Sequence, residues 1–270
     1  MTTAHSTAEE SEITNPPMSM LETLGKIKVP KSSDLLAERL KQEILNEAYP
    51  LGSALPTERE LVSATGLSRG SVREALRILE AQGLVHTRAG RYGGSTVAQP
   101  SDDMLADNIN LYARGRDVSL KSLVEVRQAL QPMVAYLAAL NRTEEDLAGL
   151  SEISDRLDAA AKIDVGAFLE ENANWHDALA VASHNELLRA LAMSIRGLML
   201  EASRLRNFAS DEVRVRVRHA HHRILDAIRE GDGDAARRRT ERDVVAYAQY
   251  LEAALAASKA GDGRIDDSIG

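Results

Sequence analysis

The stretch Leu55–Val97, LPTERELVSATGLSRGSVREALRILEAQGLVHTRAGRYGGSTV, restricts the fold of this chain more than any other. Thr57-Glu58-Arg59-Glu60 has the spacing of a capping box, in which the hydroxyl caps the fourth residue's N–H and its carboxylate reaches back. A short helix follows, with Leu61, Val62 and Ala64 on one side, and Gly66 stands where a helix end needs a left-handed residue. Ser68 caps a second helix that runs to about Gln82, with Gly83 as its stop. Two helices joined by a turn of about three residues make a helix-turn-helix. In the second helix Val72, Ala75, Leu76 and Leu79 recur at helical spacing and form a core stripe. Arg69, Arg73 and Arg77 run beside that stripe, on the solvent side. Beyond Gly83, Leu84–Arg88 alternates like a strand, Gly90, Gly93 and Gly94 make a tip, and Ser95–Ala98 returns.

This pattern is a winged helix-turn-helix, and its chemistry points to DNA. A recognition helix offers its N-terminal residues to the major groove, which places Arg69, Gly70, Ser71 and Arg73 best and turns Arg77 away. A glycine-tipped hairpin can approach the phosphate backbone or the minor groove, with Arg88 or Arg91 supplying charge. On a lone helix such an arginine stripe is more often a solvated face; the flanking helix, turn and hairpin reverse that reading. The net charge of −8 looks wrong for a nucleic-acid binder. From Ser68 to Arg91, however, five arginines face only Glu74 and Glu80, so a basic surface is concentrated locally.

Length and composition set the rest of the frame. At 270 residues two domains are expected. Hydrophobic residues at 44% with aromatics at only 3% favour a helix-rich fold. There are no cysteines, which excludes disulfides and thiolate metal sites. No apolar run reaches the roughly 20 residues that cross a bilayer, and the acidic N-terminus lacks the apolar core of a signal peptide, so a cytoplasmic protein is expected. The fold class read from the sequence is mainly α: an N-terminal winged helix-turn-helix with a small β-wing, then an all-α bundle. Residues 1–30 read as a disordered leader, 31–99 as the winged domain, 100–258 as the helical domain and 259–270 as a flexible tail. A first helix is expected from Ser33 to about Ala48. Helices of the second domain are expected near 103–114, 119–140, 143–161, 165–183, 185–208, 211–230 and 232–258.

Three of these helices carry polar residues on otherwise apolar faces. Asn172 and His176 share a face with Leu179, His221 lies with Val217 and Ile224, and Asp243 lies with Tyr247 and Tyr250. His219 and His222 turn outward. One inward histidine is usually structural, whereas two with an inward carboxylate on separate helices suggest a metal site. Imidazole and carboxylate without thiolate suit Zn, with Ni or Mn as alternatives. Arg127 also lies on an apolar stripe, with Leu123, Leu130 and Val134. A buried guanidinium needs an anion, either an internal carboxylate such as Asp243 or the carboxylate of a ligand. Arg196, on a face with Met193 and Leu200, is a second effector candidate, and the run Arg237–Arg239 reads as a solvated face. A metal-dependent hydrolase would use the same histidines, but no nucleophile motif or separate general base accompanies them.

Leu55–Leu61, Gly66–Arg69, Val72–Leu76 and Gly83–Val85 resemble the N-terminal domain of GntR-family bacterial transcription regulators. That resemblance implies operator contacts from Arg59, Arg69, Gly70, Ser71 and Arg73, with Ser68 at the helix cap and Gly90 at the wing tip. The tip Arg91–Ser95 departs from the commoner form. Val124–Arg127, Leu130–Pro132, Trp175–Leu179, Asn185–Leu188 and His221–Ile228 resemble the FCD ligand-binding domain of the FadR-type subfamily, so the resemblance covers nearly all of residues 33–250. It implies a divalent metal held at positions that here read Asn172, His176, His221 and Asp243, the last standing where a third histidine is usual. It further implies a homodimer on a palindromic operator, modulated by a small organic acid and more often a repressor than an activator. A repressor for which the ion itself is the signal is the alternative.

Overall fold

The computed structural model describes residues 30–88, 90, 93–205 and 210–261. The expected leader, apart from Pro30, lies outside the described residues, as do Arg91 and the end of the expected tail. The chain divides between Gln99 and Pro100 into two compact units.

In the first unit, α1 (Ser32–Leu45), α2 (Glu58–Thr65) and α3 (Arg69–Ala81) precede a hairpin of β1 (Val85–Arg88) and β2 (Gly94–Val97). The capping box forms as its spacing requires: Thr57 N–H donates to Glu60 Oε2 at 2.8 Å, and Glu60 N–H to Thr57 Oγ1 at 3.3 Å. Gly66 ends α2 in the left-handed region at φ 69°. Val72, Ala75, Leu76 and Leu79 of α3 are all buried and pack with Leu36, Leu40 and Ile44 of α1 and Val85 and Val97 of the hairpin. β1 and β2 are antiparallel, pairing Val85 with Val97 and Arg88 with Gly94. The segment before α2 continues along the free edge of β2. Val97 N–H donates to Ser53 O at 2.9 Å and Leu55 N–H to Ser95 O at 2.8 Å, with a bridge from Ala54 to Thr96. The wing is thereby fastened to the start of the helix-turn-helix.

The second unit holds α4 (Asp102–Gly115), α5 (Leu120–Asn141), α6 (Glu144–Ala160), α7 (Val165–Ala182), α8 (Glu186–Ser194), α9 (Arg196–Leu205), α10 (Asp211–Glu230) and α11 (Gly233–Gly261). α5 packs along α11 and is flanked by α7 and α10; α6 pairs with α7. The core gathers around the fully buried Trp175, with Val134, Leu150, Leu179, Ile224 and Ile228. Two expectations need correction. The helix expected over 185–208 is broken at Ile195, where Ser194 Oγ donates to the Leu191 carbonyl at 2.7 Å. Gly197 two residues on is a poor helix former. The final helix also extends to Gly261, past the end expected at 258.

Candidate DNA-contacting surface and ligand cavity

On the first unit, Arg59, Ser68, Arg69, Gly70, Arg73 and Gly90 are exposed and Ser71 is half-buried. Among the described residues no hydrogen bond or ion pair engages Arg59 or Arg69, which leaves both guanidinium groups to solvent or a partner. Ser68 Oγ accepts from Ser71 N–H at 3.1 Å and meets Ser71 Oγ at 3.0 Å, so both hydroxyls are employed in the cap of α3. Arg73 is held sideways: its Nε donates to both carboxylate oxygens of Glu58, at 3.0 and 2.8 Å. The first residue of α2 thus fixes the direction of an arginine on α3, a contact that neither helix's periodicity reveals. Arg77 keeps to its own helix, 3.8 Å from Glu74. At the wing tip Gly90 has φ 118°, a conformation that side chains rarely adopt.

On the second unit, four helices send side chains to one place. α5 contributes Arg127 and Gln131, α7 contributes Asn172 and His176, α10 contributes His221, and α11 contributes Asp243 and Tyr247. Each of the pairs on α5, α7 and α11 is spaced four residues apart and therefore lies on one helix face. Donor atoms of His176, His221 and Asp243 all lie within 4.8 Å of one another. The His221 ring stacks on Trp175 at a centroid separation of 3.8 Å and an interplanar angle of 11°, which holds it edge-on to His176. Burial lowers the pKa of His221 to about 3, with Arg127 and His222 adding to the effect, and His176 is lowered well below the usual histidine range by burial, then by Arg127 and His221. Both imidazoles are therefore neutral near pH 7 and keep a lone pair. Burial pushes Asp243 up to about 6, against the pull of Arg127 and Arg223.

This group fits a divalent ion. Both ring nitrogens of His221 and Oδ1 of Asn172 are buried and have no hydrogen-bond partner, a costly state for polar atoms unless something is bound there, while the His176 lone pair, at Nε2, accepts from Arg127. Ligand distances of about 2.1 Å bring donors to within about 4 Å of one another, so small side-chain rotations suffice. His219 is exposed, and His222 bonds Asp158 at 3.1 Å; both are outside the group.

Arg127 is buried, at 5% exposure, yet no carboxylate lies within ion-pair distance of it among the described residues. Its Nε donates to Gln131 Oε1 at 3.1 Å, its Nη2 stands 2.6 Å from His176 Nε2, and its guanidinium lies 4.5 Å from the Tyr247 ring centroid. The internal ion pair with Asp243 contemplated from the sequence is not formed. Arg127, His176 and Asp243 all line a cavity of about 530 Å³ between α10 and α11. Arg196 is placed differently. Its Nε donates to Asp177 at 2.6 Å and its Nη2 to Asn174 at 2.9 Å, so its charge is met by the protein, in a small cavity that shares Arg127, Asn172 and His176 with the larger one. Sequence reading missed Gln131 and the three rim arginines Arg223, Arg239 and Arg242, because charges at helical spacing look like a solvated face. Arg239 in particular donates to the Arg223 carbonyl across the two helices instead of standing in solvent with Arg237 and Arg238.

Comparison with known proteins agrees with this division. Residues 33–93 match the gntR family of bacterial regulatory proteins, and residues 122–264 match the FCD domain. The chain is 31% identical over 209 residues to the galactonate operon transcriptional repressor of Escherichia coli, covering 76% of this chain and 90% of that one. It is 34% identical over 199 residues to the HTH-type transcriptional regulator LutR of Bacillus subtilis, covering 72% and 89%. A solved GntR structure from Streptococcus agalactiae superposes with a TM-score of 0.54 at 26% identity, covering 79% of this chain and 98% of that one. Its relatives are regulators and not enzymes, which removes the hydrolase alternative. The chain belongs to the GntR family of bacterial transcription regulators, in the FadR-type branch whose second domain is an FCD domain.

Proposed function

We propose that this regulator is a repressor that binds a near-palindromic operator as a homodimer and responds to a small organic acid. Each subunit docks the N-terminus of α3 in one half-site, since a two-fold dimer matches two-fold DNA. Arg59, Arg69, Gly70, Ser71 and Arg73 face the operator, Ser68 holds the helix end and Gly90 lets the wing approach closely. Its work on DNA, and the lack among the described residues of any helix long and apolar enough to cross a membrane, support a cytoplasmic location.

The observation that carries the effector reading is Arg127, a buried guanidinium with no carboxylate to meet it, beside unpartnered histidine nitrogens. A ligand carboxylate answers the charge of Arg127. His176, His221 and Asp243, with Asn172 as a fourth oxygen, would hold a divalent metal, zinc by preference and nickel or manganese as alternatives. Such an ion supplies a second positive charge on which the same carboxylate can anchor. Arg127 now takes His176 Nε2 as its acceptor, so a competing acceptor frees that nitrogen; acid and metal binding should favour each other. A relative named for the galactonate operon, galactonate being a hydroxylated carboxylate, adds support.

The test is an operator gel shift with and without chelator, across a panel of carboxylic acids. Release of DNA that needs both metal and acid supports the proposal. Release or retention governed by metal alone favours the metal-sensing alternative. In parallel, His176→Ala with His221→Ala should abolish metal in elemental analysis of the purified protein; full retention means that the cluster is wrongly assigned.

A further inference from the structure

We infer that the ligand of the α10–α11 cavity carries two anionic groups, one met by Arg127 and the other by Arg223 with Arg242 at the rim. This rests on the effector reading above. Arg127, Arg216, Arg223, Arg239 and Arg242 line the cavity with Asp243 as the single carboxylate, in a chain whose net charge is −8. That excess of positive charge is local. Two of the five are satisfied by the protein: Arg216 donates to Glu212 at 2.7 Å and to the Tyr250 hydroxyl, and Arg239 donates to the Arg223 carbonyl. Arg127 sits at the inner end with the histidines. Arg223 and Arg242 have no hydrogen bond or ion pair among the described residues.

These two arginines belong to the cavity by helical phase. Arg216, Ala220 and Arg223 form one face of α10, and Arg239, Asp243 and Ala246 form the opposing face of α11. Arg223 is two residues from His221 and Arg242 is next to Asp243, so each lies within about one helical turn of a metal-ligand candidate. Both arginines line the same cavity as Arg127, so a single ligand can reach all three. Size agrees with charge. A three-carbon acid takes up on the order of 100 Å³ if it replaces three or four waters at about 30 Å³ each. The cavity is about 530 Å³, room for a longer molecule that reaches both ends. The chemical class is a dicarboxylate or a phosphorylated hydroxy acid of roughly four to six carbons; the two share the second anion that the rim recognises.

The test uses the full chain with one equivalent of zinc and isothermal titration of matched acids: butyrate against succinate, gluconate against glucarate, and gluconate against 6-phosphogluconate. The last two pairs separate a carboxylate from a phosphate as the second group. In at least one pair the second anion should tighten binding by about tenfold or more, the worth of one charge-assisted hydrogen bond. Arg223→Ala with Arg242→Ala, both at exposed positions, should abolish the advantage of the dianion over its monoanion partner, so that the ratio of the two affinities falls to about one. Equal affinity within every pair, or a dianion preference that survives the double substitution, overturns the inference while the effector reading stands. Binding by none of these acids overturns both.

Discussion

Gly70 separates what the fold needs from what the proposed DNA contact needs. A Cβ built there meets only Ser68 Oγ at 3.7 Å, ordinary contact, and the backbone is helical, so nothing inside the unit demands glycine. Gly70→Ala should stabilise α3 by up to about 1 kcal/mol, by helix propensity. It should also weaken operator binding, because the added methyl stands on the turn proposed to approach the bases; thermal melting and a gel shift on the same sample would show the opposite signs. An alanine variant that binds operator normally would leave Gly70 with no DNA role. Arg73 makes the complementary case. Its pair with Glu58 is exposed, 63% and 42% for the two side chains, and pairs of that kind add little to stability. Arg73→Ala and Arg69→Ala should therefore leave the melting temperature nearly unchanged, yet each should cost about 1–3 kcal/mol in operator affinity. The helices that carry these residues were legible in the sequence, because caps, glycine stops and a period of 3.6 are local signals. The Glu58–Arg73 contact was not, since it depends on how two helices cross. Nor was the internal engagement of Arg196, whose partners Asp177 and Asn174 lie on another helix.

Among the elements, the joint between α6 and α10 has a pH signature. Arg218 Nε donates to Asp158 Oδ1 at 2.5 Å, and His222 Nε2 lies 3.1 Å from Oδ2. The Arg218 hydrogen bond, with help from His222 and against some burial, holds the Asp158 carboxyl below its usual range. A carboxyl depressed on folding contributes stability at pH values above its unfolded value near 4, and that contribution is lost as the pH falls through the folded value. Asp158→Asn should cost about 1–2 kcal/mol at pH 7. In urea unfolding the gap between wild type and variant should shrink as the pH drops below 4, and a gap independent of pH would show that the joint is held by packing alone. The element boundaries were legible to within a few residues except at Ile195, where the break interrupts an otherwise continuous helical pattern. In the cavity, the inward polar residues His176, His221 and Asp243 stood out against apolar faces. Arg223 and Arg242 did not, because only the facing of α10 and α11 turns their solvated stripe into a lining.

At the scale of the whole molecule, the two units keep separate cores: no buried residue of the first unit's cluster belongs to the second unit's clusters. The groups proposed for metal and acid all belong to the second unit and those for DNA to the first. A ligand stabilises what it binds, by about 2.7 kcal/mol at a hundredfold excess over its dissociation constant. In scanning calorimetry of the full chain, zinc with a bound acid should raise the transition of the helical unit and leave that of the winged unit where it was. Regulation requires more, since an acid shifts DNA binding only by favouring one arrangement of the protein over another. The coupling is then reciprocal: the factor by which acid weakens operator binding must equal the factor by which operator weakens acid binding. Titrating acid into the free and the operator-bound protein measures one factor, and titrating operator with and without acid measures the other. Arg127→Ala should bind operator as the wild type does and show a factor of one in both titrations. A variant that still releases DNA on adding acid would place the sensing charge elsewhere in the cavity.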